Sequence, residues 1–332
     1  MLENITKERF YRRTTGDQIK CEICPRFCIL SEGDIGLCGG RKFLNDELIN
    51  TNYGKITSLY LDSIEKKPLY HFFPGSDILS VGTTGCNLTC KWCQNDHLIQ
   101  NDNSAREISP ESLVDIVDAI DGIGVAYTYA EPLIWFEYAL DSGRLMHDRG
   151  LFNIFISNGF INPNPLKELL NIADAFNIDL KVEDDQCYAT FCGGRLEDIH
   201  RTINMIYDAG KHLEITHLLV TGVSTDYSRL EKLVNWISAI DKRIPLHLVR
   251  YFPTKQFSEP PTDMEFMLNA KEIAKSKLDW VYLQNLWTEE MENSFCPCGA
   301  ILVDRSQGVI STTGISNGNC KNCGNEVNYF LP

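Results

Sequence analysis

Six apolar, strand-like runs lie between residues 77 and 252, and each is followed by a stretch with helical spacing. The strand candidates are 77–82, 124–130, 152–158, 175–182, 213–220 and 244–252. The helix candidates are about 110–121, 133–147, 165–173, 195–209, 227–240 and 263–276. Repeated β-then-α units predict a parallel sheet with helical crossovers, because parallel neighbours need connections of that length. Such units close into a barrel or open into a doubly wound sheet. No G-x-G-x-x-G follows the first run, so a dinucleotide-binding sheet has no support. In a β/α barrel the chemistry gathers at the C-terminal ends of the strands. Here those ends read "TTGC", "AEP" and "SNG", with "DLK" inside the fourth run. Four polar strand ends favour one shared site at a barrel mouth. "VYLQNL" (281–286) reads as one further strand or an extended tail. Beyond the β/α alternation there is no internal repeat and no low-complexity linker.

Thirteen cysteines are many for such a chain, and they are clustered. Cys21, Cys24, Cys28 and Cys38 form one group, Cys86, Cys90 and Cys93 a second, and Cys296, Cys298, Cys320 and Cys323 a third. Cys187 and Cys192 stand apart. The polar N-terminus lacks an apolar signal core, and no apolar run approaches bilayer length, so a cytoplasmic protein away from membranes is expected. Disulfides are disfavoured in that compartment, which points the cysteines to metal binding or catalysis. The net charge of −14 argues against a nucleic-acid backbone as main partner.

The middle group has only three members, in "CNLTCKWC" (86–93). Four thiolates close a structural zinc or iron–sulfur site. Three thiolates on a cubane [4Fe–4S] cluster leave one iron open, the position a substrate can occupy. Three ligands of a zinc site with a distant fourth are the alternative.

C-x3-C-x2-C directly after the first strand resembles the radical SAM superfamily. The resemblance implies that the open iron binds the amino and carboxylate groups of S-adenosylmethionine (SAM). It implies reductive cleavage to methionine and a 5′-deoxyadenosyl radical, which takes hydrogen from a substrate. Trp92 matches the family's aromatic position near the adenine. "TYAEP" (128–132) looks like the Gly-Gly-Glu-Pro strand end that receives the methionine ammonium, with Tyr129 and Ala130 in place of the glycines and Glu131 kept. A Glu opening the next helix is the structural alternative. Ser157 and Asn158 of "SNG" match the motif near the ribose and carboxylate. Ile156 replaces the Asp usual in pyruvate formate-lyase activating enzymes, which leaves the cation site of those enzymes without its carboxylate. "DLK" resembles their fourth-strand motif. Asp179 and Lys181 share one strand face and point into the barrel, where a buried ion pair competes with a binding role.

"IEKKPLYHFFPGSDILSVGTTGCNLTCKWCQN", "GVAYTYAEPLIWFEYAL" and "CGGRLEDI" are similar to one branch, the AmmeMemoRadiSam-system radical SAM enzymes, from about residue 20 to the end. The expected fold is α/β, a partial (β/α)6 TIM-like barrel (76–290) between cysteine-rich extensions (1–75 and 291–332).

"CPCG…CKNCG" resembles a zinc ribbon, although C-x-C departs from the usual knuckle, so Cys296, Cys298, Cys320 and Cys323 are expected to bind zinc. Cys21, Cys24, Cys28 and Cys38 fit zinc or an auxiliary iron–sulfur cluster, which spacing alone does not separate; a structural metal is expected, with an auxiliary electron-transfer cluster as the alternative. Cys192, beside two glycines, is a candidate hydrogen donor to a substrate radical, against the alternative of a small buried hydrophobe. Arg195 is a candidate anion contact. His217, His247 and Arg250 on the last two strands are candidates to face SAM or substrate, and Tyr70 and His71 to cap the site. The expected partners are an electron donor such as flavodoxin or ferredoxin, and either a glycyl residue of a partner protein or a small molecule or peptide as substrate. A non-catalytic adaptor with zinc in all three groups is the alternative of another class.

Overall fold

The computed structural model describes residues 10–99, 105–120, 122–286, 293–306 and 309–327. Eight strands form its main sheet in chain order: β1 (Ser58–Ser63), β2 (Asp77–Gly82), β3 (Gly124–Tyr127), β4 (Phe152–Ser157), β5 (Ala175–Asp179), β6 (His212–Leu219), β7 (Leu246–Arg250) and β8 (Val281–Gln284). From β2 to β8 every neighbour is parallel, while β1 runs antiparallel to β2, with Ser58 opposite Gly82 and Ser63 opposite Asp77. No pairing joins β8 to β1 among the described residues, so the barrel is partial. The sequence pattern marks six β/α units. The structure adds β8, which makes Val281–Gln284 of the 281–286 candidate a strand, and β1 at the other edge.

Six helices cover the outer face of this sheet: α1 (Pro110–Ala119), α2 (Phe136–Asp148), α3 (Pro163–Leu170), α4 (Leu196–Asp208), α5 (Tyr227–Asp241) and α6 (Met264–Lys275). Their starts are chemically marked. Ser109 Oγ accepts from Ser112 N at 3.2 Å ahead of Pro110. Asp226 accepts from Ser228 N at 2.8 Å and Arg229 N at 3.1 Å. On α4 the buried residues Leu196, Ile199, Ile203 and Ile206 recur at helical spacing and face the sheet. Val125, Ala126 and Tyr127 are all buried because β3 is covered on both faces.

The barrel floor, at the N-terminal strand ends, is a polar plug. Glu214 of β6 is fully buried and accepts hydrogen bonds from Tyr70 N (3.0 Å), His71 N (2.7 Å), His212 Nε2 (2.9 Å) and His247 Nε2 (2.6 Å). Burial opposes its ionisation, but the two histidines outweigh burial and hold the carboxyl well below its usual range.

The chain on either side of the sheet packs onto it. Ile19, Ile23, Leu30 and Phe43 share one apolar core with the barrel. The hairpin Arg41–Leu44 and Glu47–Asn50 is pinned to α2 by a buried ion pair, Arg41 Nη1 to Glu137 Oε1 at 2.6 Å. At the other end Leu302, Val303 and Ile315 cluster with Tyr70, Trp280 and Tyr282 under the floor, where Arg305 Nη2 donates to Tyr70 O at 2.9 Å.

Candidate active site

β2 ends at Gly82, and the chain turns over the mouth to carry the three cysteines. The loop is laced to the stretch Tyr188–Cys192: Thr89 N donates to Cys192 O at 2.9 Å and Lys91 N to Phe191 O at 3.0 Å. Gly193 makes this approach possible. It sits at φ +70°, and a Cβ there would lie 2.7 Å from Thr89 Oγ1.

Cys86, Cys90 and Cys93 open onto a cleft of about 370 Å³ at the C-terminal strand ends. All thirteen cysteines are free thiols. The three sulfurs do not close on a single ion: the one group of three or more His, Cys, Asp or Glu ligand atoms within 4.8 Å of one another, among the described residues, is the C-terminal one. Wider spacing is what a cubane cluster requires, since each sulfur takes a different iron corner. Burial pushes the Cys86 and Cys93 thiols up, and a hydrogen bond with Cys192 together with burial does the same to Cys90. Such thiols lose their protons to a metal that coordinates them. The residues present therefore fit a [4Fe–4S] cluster.

The same cleft is lined by Trp92, Glu131, Ser157, Asn158, Asp179 and Lys181. Glu131 follows β3 and is 4 % exposed. Its Oε1 accepts from Ser157 Oγ (2.8 Å) and Leu133 N (3.0 Å), and its Oε2 from Asn158 N (2.8 Å). Glu131 thus opens the short helix Pro132–Trp135 and lines the cleft at once. Burial pushes its carboxyl up to about 7, against those hydrogen bonds and the Lys181 charge. Asn158 Nδ2 donates to Asn87 Oδ1 at 2.9 Å and lies 3.6 Å from Cys86 Sγ, which ties β4 to the cysteine loop. Lys181 Nζ meets Asp179 Oδ2 at 2.5 Å. Burial works against the Lys181 charge, but Asp179 and Cys90 outweigh it and raise the ammonium. Both members of this pair border the cleft, so ion pair and cleft lining coexist. Trp92 is buried, flanked by Phe191 and Phe257 at 5.9 and 5.8 Å between ring centres.

Other candidates lie elsewhere. His217 falls on the opposite pleat of β6 from the cleft-lining Thr216 and Leu218, with Nδ1 2.8 Å from Leu180 O. His247 faces inward but lies two residues below Val249, one layer deeper, and belongs to the Glu214 plug. Arg250 turns away to donate to Thr262 O at 2.9 Å. Tyr70 and His71 plug the floor rather than cap the mouth. Arg195 is 60 % exposed and pairs with Asp198 at 2.7 Å at the start of α4. Cys192 is fully buried behind Cys90, outside the cleft lining.

Among the cleft residues to which the sequence reading gave no role are Lys67 and Tyr129. Asp62 of β1 accepts from Lys67 Nζ and from Tyr129 OH, each at 2.8 Å, and Lys67 Nζ sits 4.8 Å from the Tyr129 ring centre. Tyr129 holds φ +68°. That is left-handed backbone, which glycine adopts freely, held here by a residue whose side chain is anchored at its tip. A Tyr where the motif has Gly was the available signal.

Cys296, Cys298, Cys320 and Cys323 converge near the floor side, with Sγ–Sγ distances of 3.5 Å (Cys296–Cys323) and 3.8 Å (Cys298–Cys320). A hydrogen bond from the Asn322 side chain lowers Cys298 to about 6, whereas burial pushes Cys296 up to about 12. Cys21, Cys24, Cys28 and Cys38 converge on a separate void beside the cysteine loop.

A family model described as the radical SAM superfamily matches residues 80–237, which contain the cysteine loop and every strand end lining the cleft up to β6. The uncharacterized protein MJ0808 of Methanocaldococcus jannaschii is 34 % identical over 331 residues, 97 % of this chain and 98 % of the relative. The pyruvate formate-lyase-activating enzyme of Staphylococcus epidermidis is 24 % identical over 181 residues, 51 % of this chain and 72 % of the relative. The crystal structure of Streptococcus suis SuiB bound to S-adenosylmethionine shares the fold with a TM-score of 0.51, at 14 % identity over 66 % of this chain and 55 % of that one. With the cysteine loop, the strand-end residues and these matches in agreement, this chain is an enzyme of the radical SAM superfamily.

Proposed function

We propose that this enzyme binds its [4Fe–4S] cluster on Cys86, Cys90 and Cys93, binds SAM in the adjoining cleft, and directs hydrogen abstraction to a glycyl residue of a partner protein. The observation that carries this reading is the single cleft shared by the three cysteines, Glu131, Ser157, Asn158, Asp179 and Lys181. A bound [4Fe–4S] cluster supplies the electron that splits SAM into methionine and a 5′-deoxyadenosyl radical, which becomes 5′-deoxyadenosine on taking the substrate hydrogen.

The chain's own residues supply position and charge. Glu131 receives the ammonium of SAM on Oε2, which carries a single protein donor, Asn158 N. Ser157 and Asn158 are fixed by Glu131 and sit where ribose and carboxylate groups need polar partners. Lys181 offers a cation to the carboxylate while Asp179 keeps it aimed. Trp92 gives the adenine an apolar wall.

A glycyl substrate is supported by what one relative is called, the putative glycyl-radical enzyme activating enzyme MJ1632 of Methanocaldococcus jannaschii, 28 % identical over 211 residues, 60 % of this chain and 77 % of the relative. The electron donor is a low-potential one-electron protein such as flavodoxin or ferredoxin. Thirteen free thiols fit a reducing cytoplasm. The C-terminal group is a zinc site on its sulfur spacing, and the chain divides into a cysteine-bearing N-terminal segment, the barrel and a zinc-ribbon-like end.

The test is an anaerobic assay with dithionite and SAM, following 5′-deoxyadenosine, beside a Cys86→Ala/Cys90→Ala/Cys93→Ala control. Product in the wild type alone supports the reading. Transfer of deuterium from a glycine-labelled partner protein into 5′-deoxyadenosine supports the substrate class, and transfer from a labelled metabolite overturns it. A protein that takes up zinc alone and no SAM is an adaptor.

A further inference from the structure

We infer that Cys21, Cys24, Cys28 and Cys38 hold a second, auxiliary [4Fe–4S] cluster and not a zinc ion. This goes beyond the reaction proposed above and does not depend on its substrate.

Size carries the argument. The four cysteines wall an enclosed void of about 20 Å³ together with Ile23, Ile134 and two arginines. That is room for about one water-sized sphere. Four sulfurs at about 2.3 Å from one zinc ion would stand about 3.8 Å apart and leave no such room. The C-terminal group of this same chain shows the ion-sized arrangement, with its sulfurs 3.5 and 3.8 Å apart in two pairs and all within 4.8 Å. No three of the N-terminal sulfurs meet that 4.8 Å limit, and neither do Cys86, Cys90 and Cys93. The N-terminal group, like the catalytic one, is therefore spread wider than an ion-sized set, with a fourth sulfur to close it. A cubane whose sulfurs bind separate irons needs that spread.

Charge agrees. Arg41 lines the void and is 3 % exposed; Nη1 and Nη2 donate to Glu137 and to Ile134 O, yet its buried Nε has no hydrogen-bond partner. Arg26 also lines the void, with its guanidinium turned to Asn87 and Gly193 of the neighbouring loops. A buried guanidinium with a spare donor beside Cys21 and Cys38 suits an anionic thiolate cluster, whose sulfurs accept such hydrogen bonds. Four free thiols with no disulfide leave every ligand available.

The void and the catalytic loop share a wall. Arg26 Nε donates to Asn87 O at 2.9 Å. Gly85, at φ +94°, lets the Cys38 carbonyl through, since a Cβ there would lie 2.2 Å from that oxygen. A cluster with all four irons on cysteine offers none to SAM, so its spectrum is blind to SAM.

The experiment uses full-length Cys86→Ala/Cys90→Ala/Cys93→Ala protein, reconstituted anaerobically with iron and sulfide. Iron, sulfide and zinc are counted, and electron paramagnetic resonance is recorded after dithionite with and without SAM. The expected result is about four iron and four sulfide per chain, with a signal that SAM leaves unchanged. Adding Cys24→Ser and Cys28→Ser removes that iron, while the C-terminal zinc, at about one per chain, reports that the protein is folded. Wild-type protein, free of any folding question, carries about eight iron per chain. A second zinc in place of iron, no metal at all, iron that survives loss of Cys24 and Cys28, or about four iron in the wild type each overturns the inference. Loss of 5′-deoxyadenosine production alone does not touch it, because the variant already lacks the catalytic group.

Discussion

Glu131 is the residue on which the charge of the cleft turns. Without a ligand, burial holds its carboxyl up to about 7. On the proposed reading the SAM ammonium stabilises the ionised form, so SAM affinity is expected to fall as pH drops through the Glu131 titration, by up to about tenfold per unit. Glu131→Gln is expected to remove this slope and to lower affinity at least about tenfold at high pH. Calorimetric titration of cluster-loaded protein with SAM at several pH values measures both. An unchanged slope in the variant would mean that another group binds the ammonium. Glu131 was legible because a strand end, a Pro and an acid stand together in "AEP". Lys67 and Asp62 were not legible, because Asp62 lies on β1 and Lys67 on the β1–β2 connection, and their meeting depends on the antiparallel pairing of β1 with β2.

Among the elements, the six β/α units could be read because burial on both faces makes each strand an apolar run. The layer of a residue within the barrel could not. His247 and Val249 share a pleat, but only Val249 is high enough to reach the cleft, and the two-residue difference sends His247 to Glu214. β8 was ambiguous because "VYLQNL" is short and precedes no helix pattern. The N-terminal hairpin gave no periodic signal, and its attachment rests on the buried pair of Arg41 and Glu137, 3 % and 4 % exposed. Asn50 Nδ2 adds a third contact to Glu137 Oε2 at 2.8 Å. Arg41→Met leaves a buried carboxylate unpaired and is expected to cost about 3–5 kcal/mol in urea unfolding. Arg41→Met/Glu137→Leu is expected to recover most of that loss. If the double change is as costly as the single one, the ion pair is not what attaches the hairpin.

At the scale of the whole molecule, the terminal cysteine groups serve opposite ends of the barrel. The N-terminal group abuts the catalytic loop through Arg26 and Gly85. The C-terminal group belongs to a segment packed under the floor on Trp280 and Tyr282. Its apolar cluster is small, so the proposed zinc supplies much of its order. Cys298→Ala is expected to remove about one zinc per chain and to split the calorimetric melt, the segment unfolding first and the barrel afterwards. A single unshifted transition would show that the segment folds without metal. Sequence spacing marked both groups as candidate ligand sets but not the ends they occupy, since that depends on cores shared with residues far along the chain.

The plug built around Glu214 makes the barrel a blind-ended vessel. Its polar groups are already satisfied by Tyr70, His71, His212 and His247, so the lower end offers no exit. On the proposed reading, whatever enters at the mouth leaves there, past the docked partner, or along the seam between β8 and β1, unpaired among the described residues. Methionine and 5′-deoxyadenosine that take the mouth leave only after a docked protein departs. Turnover by that route becomes a queue with a fixed order, in which the last to arrive is the first to go.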